Sequence, residues 1–179
     1  MPTDDRKLTM DELGRVAPEA YAPAIGRRVR VVLDDVRSRH NVGSIFRTAD
    51  AFGAEGLVLC GFTPVPPHRE IEKTALGATA SVPWTHAHDA LAAVESLRAE
   101  GYLVLAVEQT LHARPLHDPD LQADRPLALV FGNELHGVSD AVVAASDGCI
   151  VVPQRGSKHS LNVSVCAGAV LYRLLGMPG

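Results

Sequence analysis

The chain has 179 residues, 46% of them hydrophobic and 21% charged, with a formal net charge of −4. That mix fits one soluble globular domain with a sizeable core, and it excludes a disordered chain, a collagen-like repeat and a uniformly basic nucleic-acid coat. Cys60, Cys149 and Cys166 are odd in number and widely spaced, so neither a disulfide framework nor a zinc site is encoded, and each reads as a buried, reduced thiol.

Residues 1 to about 27 are polar and weakly periodic, with Pro2, Pro18 and Pro23; they read as an arm carrying a short helix from Met10 to Val16. The start lacks the basic-then-apolar layout of a signal peptide, and no apolar run reaches the roughly 18 residues that span a bilayer, which points to a cytoplasmic protein. From residue 28 to 179 the pattern is that of a single domain. Apolar runs at Val29–Leu33, Gly56–Cys60, Tyr102–Val107, Leu127–Phe131 and Cys149–Val152 are continuous, as in strands covered on both faces.

Between these runs lie helical patterns. Val42, Ile45, Phe46, Ala49 and Phe52 share one face, with Asn41 as a favoured N-cap, and Ala90, Leu91, Val94 and Leu97 form a second helix ended by Gly101. Alternating strands and helices call for a mostly parallel α/β sheet with helices on both faces. A last helix, Leu161 to Leu175, is apolar nearly all round, so it should pack on the sheet and also against a second subunit. The connections Gly61–His68 and Glu108–Arg125 are long, and connections of that size usually carry function.

Charge is uneven along the chain. Arg27 to Arg47 holds six Arg against Asp34 and Asp35, whereas Thr85 to Asp124 holds seven acids against Arg98 and Arg114. Gln154 to Ser160 adds Arg155, Lys158 and His159 with no acid. One face can thus attract phosphates on a molecule that is acidic overall.

Three polar clusters sit at predicted strand ends, where ligands bind in open α/β sheets. The first is Asn41-Val42-Gly43-Ser44-Ile45-Phe46-Arg47-Thr48-Ala49, in which Asn41 and Arg47 both lie near a helix start and so near the mouth of a site. The second is Phe131-Gly132-Asn133-Glu134-Leu135-His136-Gly137. There Gly132 admits a close ligand, Gly137 permits a turn, and Glu134 can hold a ligand's hydroxyl or amine. The third is Ser160-Leu161-Asn162-Val163-Ser164-Val165: Ser160 is a natural N-cap, while Asn162 is a poor helix former that needs partners. Dinucleotide and Walker phosphate loops and the nucleophile elbow are absent, and the eight His show no metal-ligand spacing, so no metal is expected.

In this order and spacing the clusters resemble the three motifs of the SpoU (TrmH-type) branch of the SPOUT RNA methyltransferases, from about Arg28 to Leu175. Lys73-Thr74-Ala75-Leu76-Gly77-Ala78 is similar to a stretch of short members of that family. Many members carry an extra RNA-binding domain ahead of the catalytic part, where this sequence shows only the arm. The resemblance implies an α/β domain with a deep C-terminal trefoil knot, a homodimer joined through the last helix, and transfer of a methyl group from S-adenosylmethionine to a ribose 2′-hydroxyl of tRNA or rRNA. It further implies that the backbone at Gly132, Val152 and Leu161 holds the cofactor. Arg47 would be catalytic, supported by Asn41, Glu134, Ser160 and Asn162.

A guanidinium ordinarily keeps its proton to above about pH 12, so an arginine suits an electrostatic clamp on phosphate or hydroxyl oxygen better than a general base. RNA contacts are expected from Arg28, Arg39, His68, Arg69, Lys73, Arg155 and Lys158. With only 4% aromatic residues, extensive base stacking is not expected, and Trp84 reads as packing. An RNA-binding or assembly factor on the same fold without catalysis is the alternative, as is a generic α/β nucleotide binder.

Overall fold

A computed structural model describes residues 5–9, 11–14, 17, 20–23, 27–122, 125–157 and 160–176. Its framework is a sheet of seven strands: β1 (Val29–Asp34), β2 (Gly56–Cys60), β3 (Trp84–Ala87), β4 (Leu103–Val107), β5 (Arg114–Pro115), β6 (Leu127–Phe131) and β7 (Gly148–Val151). They lie in the order β3-β2-β1-β6-β4-β7-β5, and every ladder is parallel. Every residue of β2 and β6 is buried, which is why these strands read as unbroken apolar runs.

Among the described residues six α-helices cover the two faces: α1 (Arg39–Phe52), α2 (Arg69–Ala75), α3 (Ala78–Ser81), α4 (Ala90–Ala99), α5 (Asp140–Ala145) and α6 (Val163–Leu171). Ile45 and Phe46 of α1, Ile71 of α2 and Val170 of α6 join Leu33, Leu59 and Phe131 in one core. Val94 and Leu97 of α4 and Val142 of α5 join Val32, Val104 and Val130 in the other. Trp84 packs partly buried against the first core, as its sequence context suggests.

Several element ends differ from the sequence reading. Helix α1 is capped by Ser38, whose hydroxyl accepts from the Asn41 N–H at 3.3 Å, so Asn41 stands inside the first turn and is not the cap. Helix α6 is capped by Asn162 and not by Ser160, and it gives way at Tyr172–Gly176 to a π-helical turn. The stretch Glu108–Arg125 contains β5 and a 3-10 turn at Pro119–Gln122. Of the short helix expected at Met10–Val16, residues 11–14 form one turn, while Met10, Arg15 and Val16 lie outside the described residues.

Arg28 and Arg30, before and at the start of β1, do not extend one basic patch. Arg28 donates to Glu55 at 2.8 Å and to the Tyr102 hydroxyl at 2.6 Å, and both Arg28 and Arg30 lie over the Tyr102 ring. Burial pushes the Glu55 carboxyl up, but these cations and the Tyr102 hydroxyl outweigh it and hold the group below its ordinary value. This cluster belongs to the N-terminal end of the sheet.

Candidate active site

Because every ladder is parallel, the strands' C-terminal ends share one edge, and the loops after β1, β4, β6 and β7 meet there. Those after β4, β6 and β7 enclose a cleft of about 530 Å³, within the range typical of small-molecule sites. Its walls include the backbone of Gly132, Val152 and Leu161 together with Val107, Ile150 and Val163.

At its rim the three polar clusters come into contact. Glu134 accepts from the N–H groups of Arg37 at 3.1 Å and Ser38 at 3.0 Å, and from Asn41 Nδ2 at 2.9 Å. Asn162 Nδ2 in turn donates to Asn41 Oδ1 at 3.2 Å. The other end of the Asn162 amide, Oδ1, caps α6 by accepting from Ser164 N–H at 2.9 Å and Ser164 Oγ at 2.7 Å. A poor helix former therefore opens this helix because it caps the helix with one end and holds Asn41 with the other. Partial burial raises the Glu134 carboxyl, but the Asn41 amide and the Arg37 and Ser38 N–H groups prevail, so it stays charged to a lower pH than an ordinary glutamate.

The second cluster is folded tightly on itself. Asn133 and Gly137 exchange backbone hydrogen bonds, and Asn133 Oδ1 accepts from the Leu135 and His136 N–H groups. A Cβ on Gly132 would lie 2.0 Å from the Gly137 carbonyl carbon, and one on Gly137, at φ 70°, would lie 2.2 Å from Glu108 Oε2. The space a Cβ would take on Gly132 is thus filled by the protein's own backbone, while Gly132 itself lines the cleft. Glu108 fixes the same loop by accepting from Val138 N–H at 2.9 Å.

The remaining expected residues fall in different places. Ser160 is exposed and lines the cleft. Arg47 is exposed, lines no part of the cleft, and its side chain has no hydrogen bond or ion pair among the described residues. Because α1 begins at Arg39, Arg47 stands in the third turn, about 9 Å along the axis from Asn41 and about 120° around it. The two are therefore not neighbours at the helix start.

Arg39 is 3.5 Å from Glu70, His68 caps α2 through its Nδ1, and Arg69 and Lys73 are exposed on α2. Arg155 is exposed on the third cluster's loop, and Lys158 lies outside the described residues. Arg28, held by Glu55 at the far end of β1, is not on this edge. Cys166 is only partly buried and lines the cleft; burial, with Glu108 nearby, pushes its thiol up to about 11, so it stays protonated. The sequence reading also missed Asn133, Glu108, Asp35 and Ser38. The signal for Glu108 is legible, since it is a carboxylate directly after β4, as Glu134 is one three residues after β6.

The donor set suits S-adenosylmethionine. Apolar walls offer a seat for a flat base, the turning backbone at Gly132, Val152 and Leu161 offers peptide groups, and Glu108 and Glu134 give the neighbourhood the sign a sulfonium needs. No group of three or more His, Cys, Asp or Glu among the described residues could hold a metal ion.

A parallel α/β sheet with a small-molecule cleft at its C-terminal strand edge, closed by backbone turns from three distant segments, defines a nucleotide-type ligand-binding domain. Residues 28–172 match the sequence model of the SpoU rRNA Methylase family, and the chain belongs to it. A Staphylococcus haemolyticus protein assigned to the TrmH family of tRNA/rRNA methyltransferases is 34% identical over 144 residues, covering 80% of this chain and 57% of that protein. An uncharacterised tRNA/rRNA methyltransferase of Synechocystis is 33% identical over 171 residues, covering 94% of this chain and 43% of its own. The chain thus spans about half the length of these curated relatives.

Among solved structures, an AdoMet-bound rRNA methyltransferase of Sinorhizobium meliloti superposes with a TM-score of 0.76 at 28% identity, covering 87% of this chain and 58% of that one. The SpoU methyltransferase AviRb of Streptomyces viridochromogenes, in complex with AdoMet, superposes with a TM-score of 0.72 at 30% identity, covering 82% and 58%.

Proposed function

We propose that this chain transfers a methyl group from S-adenosylmethionine to a ribose 2′-hydroxyl of tRNA or rRNA. The observation that carries the reading is the hydrogen-bonded line Glu134–Asn41–Asn162, which joins three segments far apart in sequence at the rim of the cleft. Family membership and AdoMet-bound relatives support the same cofactor here. The reading includes a homodimer joined through α6, a knotted path for the chain after β7, and a cytoplasmic location.

S-adenosylmethionine, when bound, supplies a methyl group on a sulfonium, which is electrophilic without further activation. What the protein must add is alignment of a weak nucleophile, and alignment alone lowers a barrier by several kcal/mol. In this reading Gly132, Val152 and Leu161 hold the cofactor. Glu134 and Asn162 fix the Asn41 amide, and Ser160 stands at the same rim. Arg47 offers an uncommitted guanidinium that grips a phosphate or the sugar oxygen of the RNA. Arg39, Arg69, Lys73, Arg155 and Lys158 supply the remaining cationic contacts, and His68, whose Nδ1 accepts from the Glu70 N–H, adds a neutral one.

The experiment is radiolabelled methyl transfer to unmodified tRNA and rRNA transcripts, with resistance of the product to alkaline cleavage identifying the 2′-oxygen. Arg47→Ala abolishes transfer and Arg47→Lys does not restore it, because a bidentate fork cannot be replaced by a point charge. Near-full activity of Arg47→Ala on a true substrate removes the residue from the mechanism. Transfer to none of the RNAs leaves the non-catalytic RNA-binding reading.

A further inference from the structure

Phe62 is 77% exposed, on the loop that follows β2. Exposing an aromatic ring to water is unfavourable. This loop is held firmly. The Phe62 N–H donates to Asp35 Oδ1 at 2.7 Å, and the next residue, Thr63, is 3% exposed and donates its hydroxyl to the Leu33 carbonyl at 3.1 Å. The Gly61 N–H donates to the Ala87 carbonyl at 3.0 Å.

The ring carries a cation. The Arg37 guanidinium lies 5.7 Å from its centroid, at cation–π distance. Both members of the pair are also tied to the cleft. Asp35, whose carboxylate holds Phe62, gives its carbonyl to Asn133 Nδ2 at 2.8 Å, and the Arg37 N–H donates to Glu134 Oε2 at 3.1 Å. Arg37 is thus one hydrogen bond, and Phe62 two, from the loop that bears Glu134.

We propose that Phe62, backed by Arg37, is a stacking platform for a nucleobase of the substrate RNA next to the methylated sugar. The proposal rests on the methyltransferase reading above and names how that site grips its substrate. A rigid, exposed ring beside a guanidinium matches a base and its phosphate together, since unpaired bases stack on aromatic and arginine planes. Arg39 and Arg69, both exposed at the starts of α1 and α2, extend positive charge on the same edge. Low aromatic content argues against many stacking sites but not against a single one.

The test compares the wild type with Phe62→Ala and Phe62→Trp. Two measurements are made: steady-state methyl transfer to unmodified tRNA and rRNA transcripts, and binding of a fluorescein-labelled oligo(A) 20-mer. Phe62→Ala raises KM for RNA and weakens oligo(A) binding roughly 5- to 150-fold, the range for loss of one stacked base. kcat at saturating RNA stays within about twofold, because the lost contact is one of uniform binding. Phe62→Trp restores both quantities, and its fluorescence is quenched by oligo(A) but not by an abasic oligomer of equal length; the wild type, whose single tryptophan is Trp84, supplies the baseline.

An unchanged KM in Phe62→Ala, a Phe62→Trp variant no better than Phe62→Ala, or fluorescence indifferent to bases overturns the platform. Absence of methyl transfer in the wild type, with oligo(A) binding still dependent on Phe62, overturns the catalytic reading and leaves the platform standing.

Discussion

At the scale of the residue, the site is organised by one carboxylate that accepts three donors from the first cluster's side of the cleft. Glu134→Gln keeps the shape but turns an NH2 toward groups that are themselves donors, leaving at least one N–H without an acceptor. Such a loss costs about 1–3 kcal/mol for a well-buried group and less at a rim open to water. The pH dependence follows from the direction of the Glu134 shift. Its carboxyl is lower in the folded protein than the ordinary 4.5, so the charged form stabilises the fold at pH values above that figure. The contribution is lost as pH falls through the folded value, where both states become protonated. The Tm advantage of wild type over Glu134→Gln is therefore full near neutrality and shrinks in acid. Thermal melts of both proteins across that range check it, and an advantage that grows in acid refutes the assignment of charge. Other shifted carboxylates, such as Glu55 and Asp118, are common to both proteins and cancel in the difference.

At the scale of the element, Asn162 serves a helix and a network at once, and two substitutions separate the roles. Asn162→Ala removes the α6 cap and costs about 1 kcal/mol, while also freeing Asn41. Asn162→Asp keeps a capping oxygen at a helix N-terminus, where negative charge is favoured, but has no N–H to give Asn41 Oδ1. Melting places Asn162→Asp above Asn162→Ala in stability, whereas methyl transfer falls in both; full activity in Asn162→Asp detaches the network from function. The same residue shows what a sequence can convey. Its presence at the head of an apolar helix signals a partner, but which of Ser160 and Asn162 caps depends on where the chain leaves β7. Ser38 takes the cap that the pattern assigns to Asn41, because α1 begins at Arg39. The doubly covered strands are legible because burial on both faces leaves no polar position. β3 is not, since its two middle residues are exposed, and β5 has only two residues. The convergence of Asn41, Glu134 and Asn162 was legible only as three clusters at strand ends. Phe62 was hidden because an isolated phenylalanine among prolines carries no period.

At the scale of the whole molecule, α6 presents an incomplete burial. Ala167, Val170 and Leu171 lie in the core, but Val165 is 58% exposed on an element with almost no polar side chains, and Tyr172, in the turn that follows, is 53% exposed. A helix that is apolar all round is expected to be covered on all sides, and the homodimer proposed above covers it. Val165→Glu tests this without unfolding the element. Counting from the Asn162 cap, Val165 is the third helical position, where glutamate is favoured by the helix dipole and by the capping-box geometry. The monomer's α6 is therefore retained while a charge enters the proposed interface, where desolvating it costs several kcal/mol per ion. Analytical ultracentrifugation gives a dimer for the wild type and a monomer for Val165→Glu, with unchanged helical circular dichroism. Wild-type Tm rises with protein concentration, as linkage to association requires, and that dependence disappears in the variant. A wild type that sediments as a monomer, or a variant that stays dimeric, shows that some other surface, or none, covers this helix.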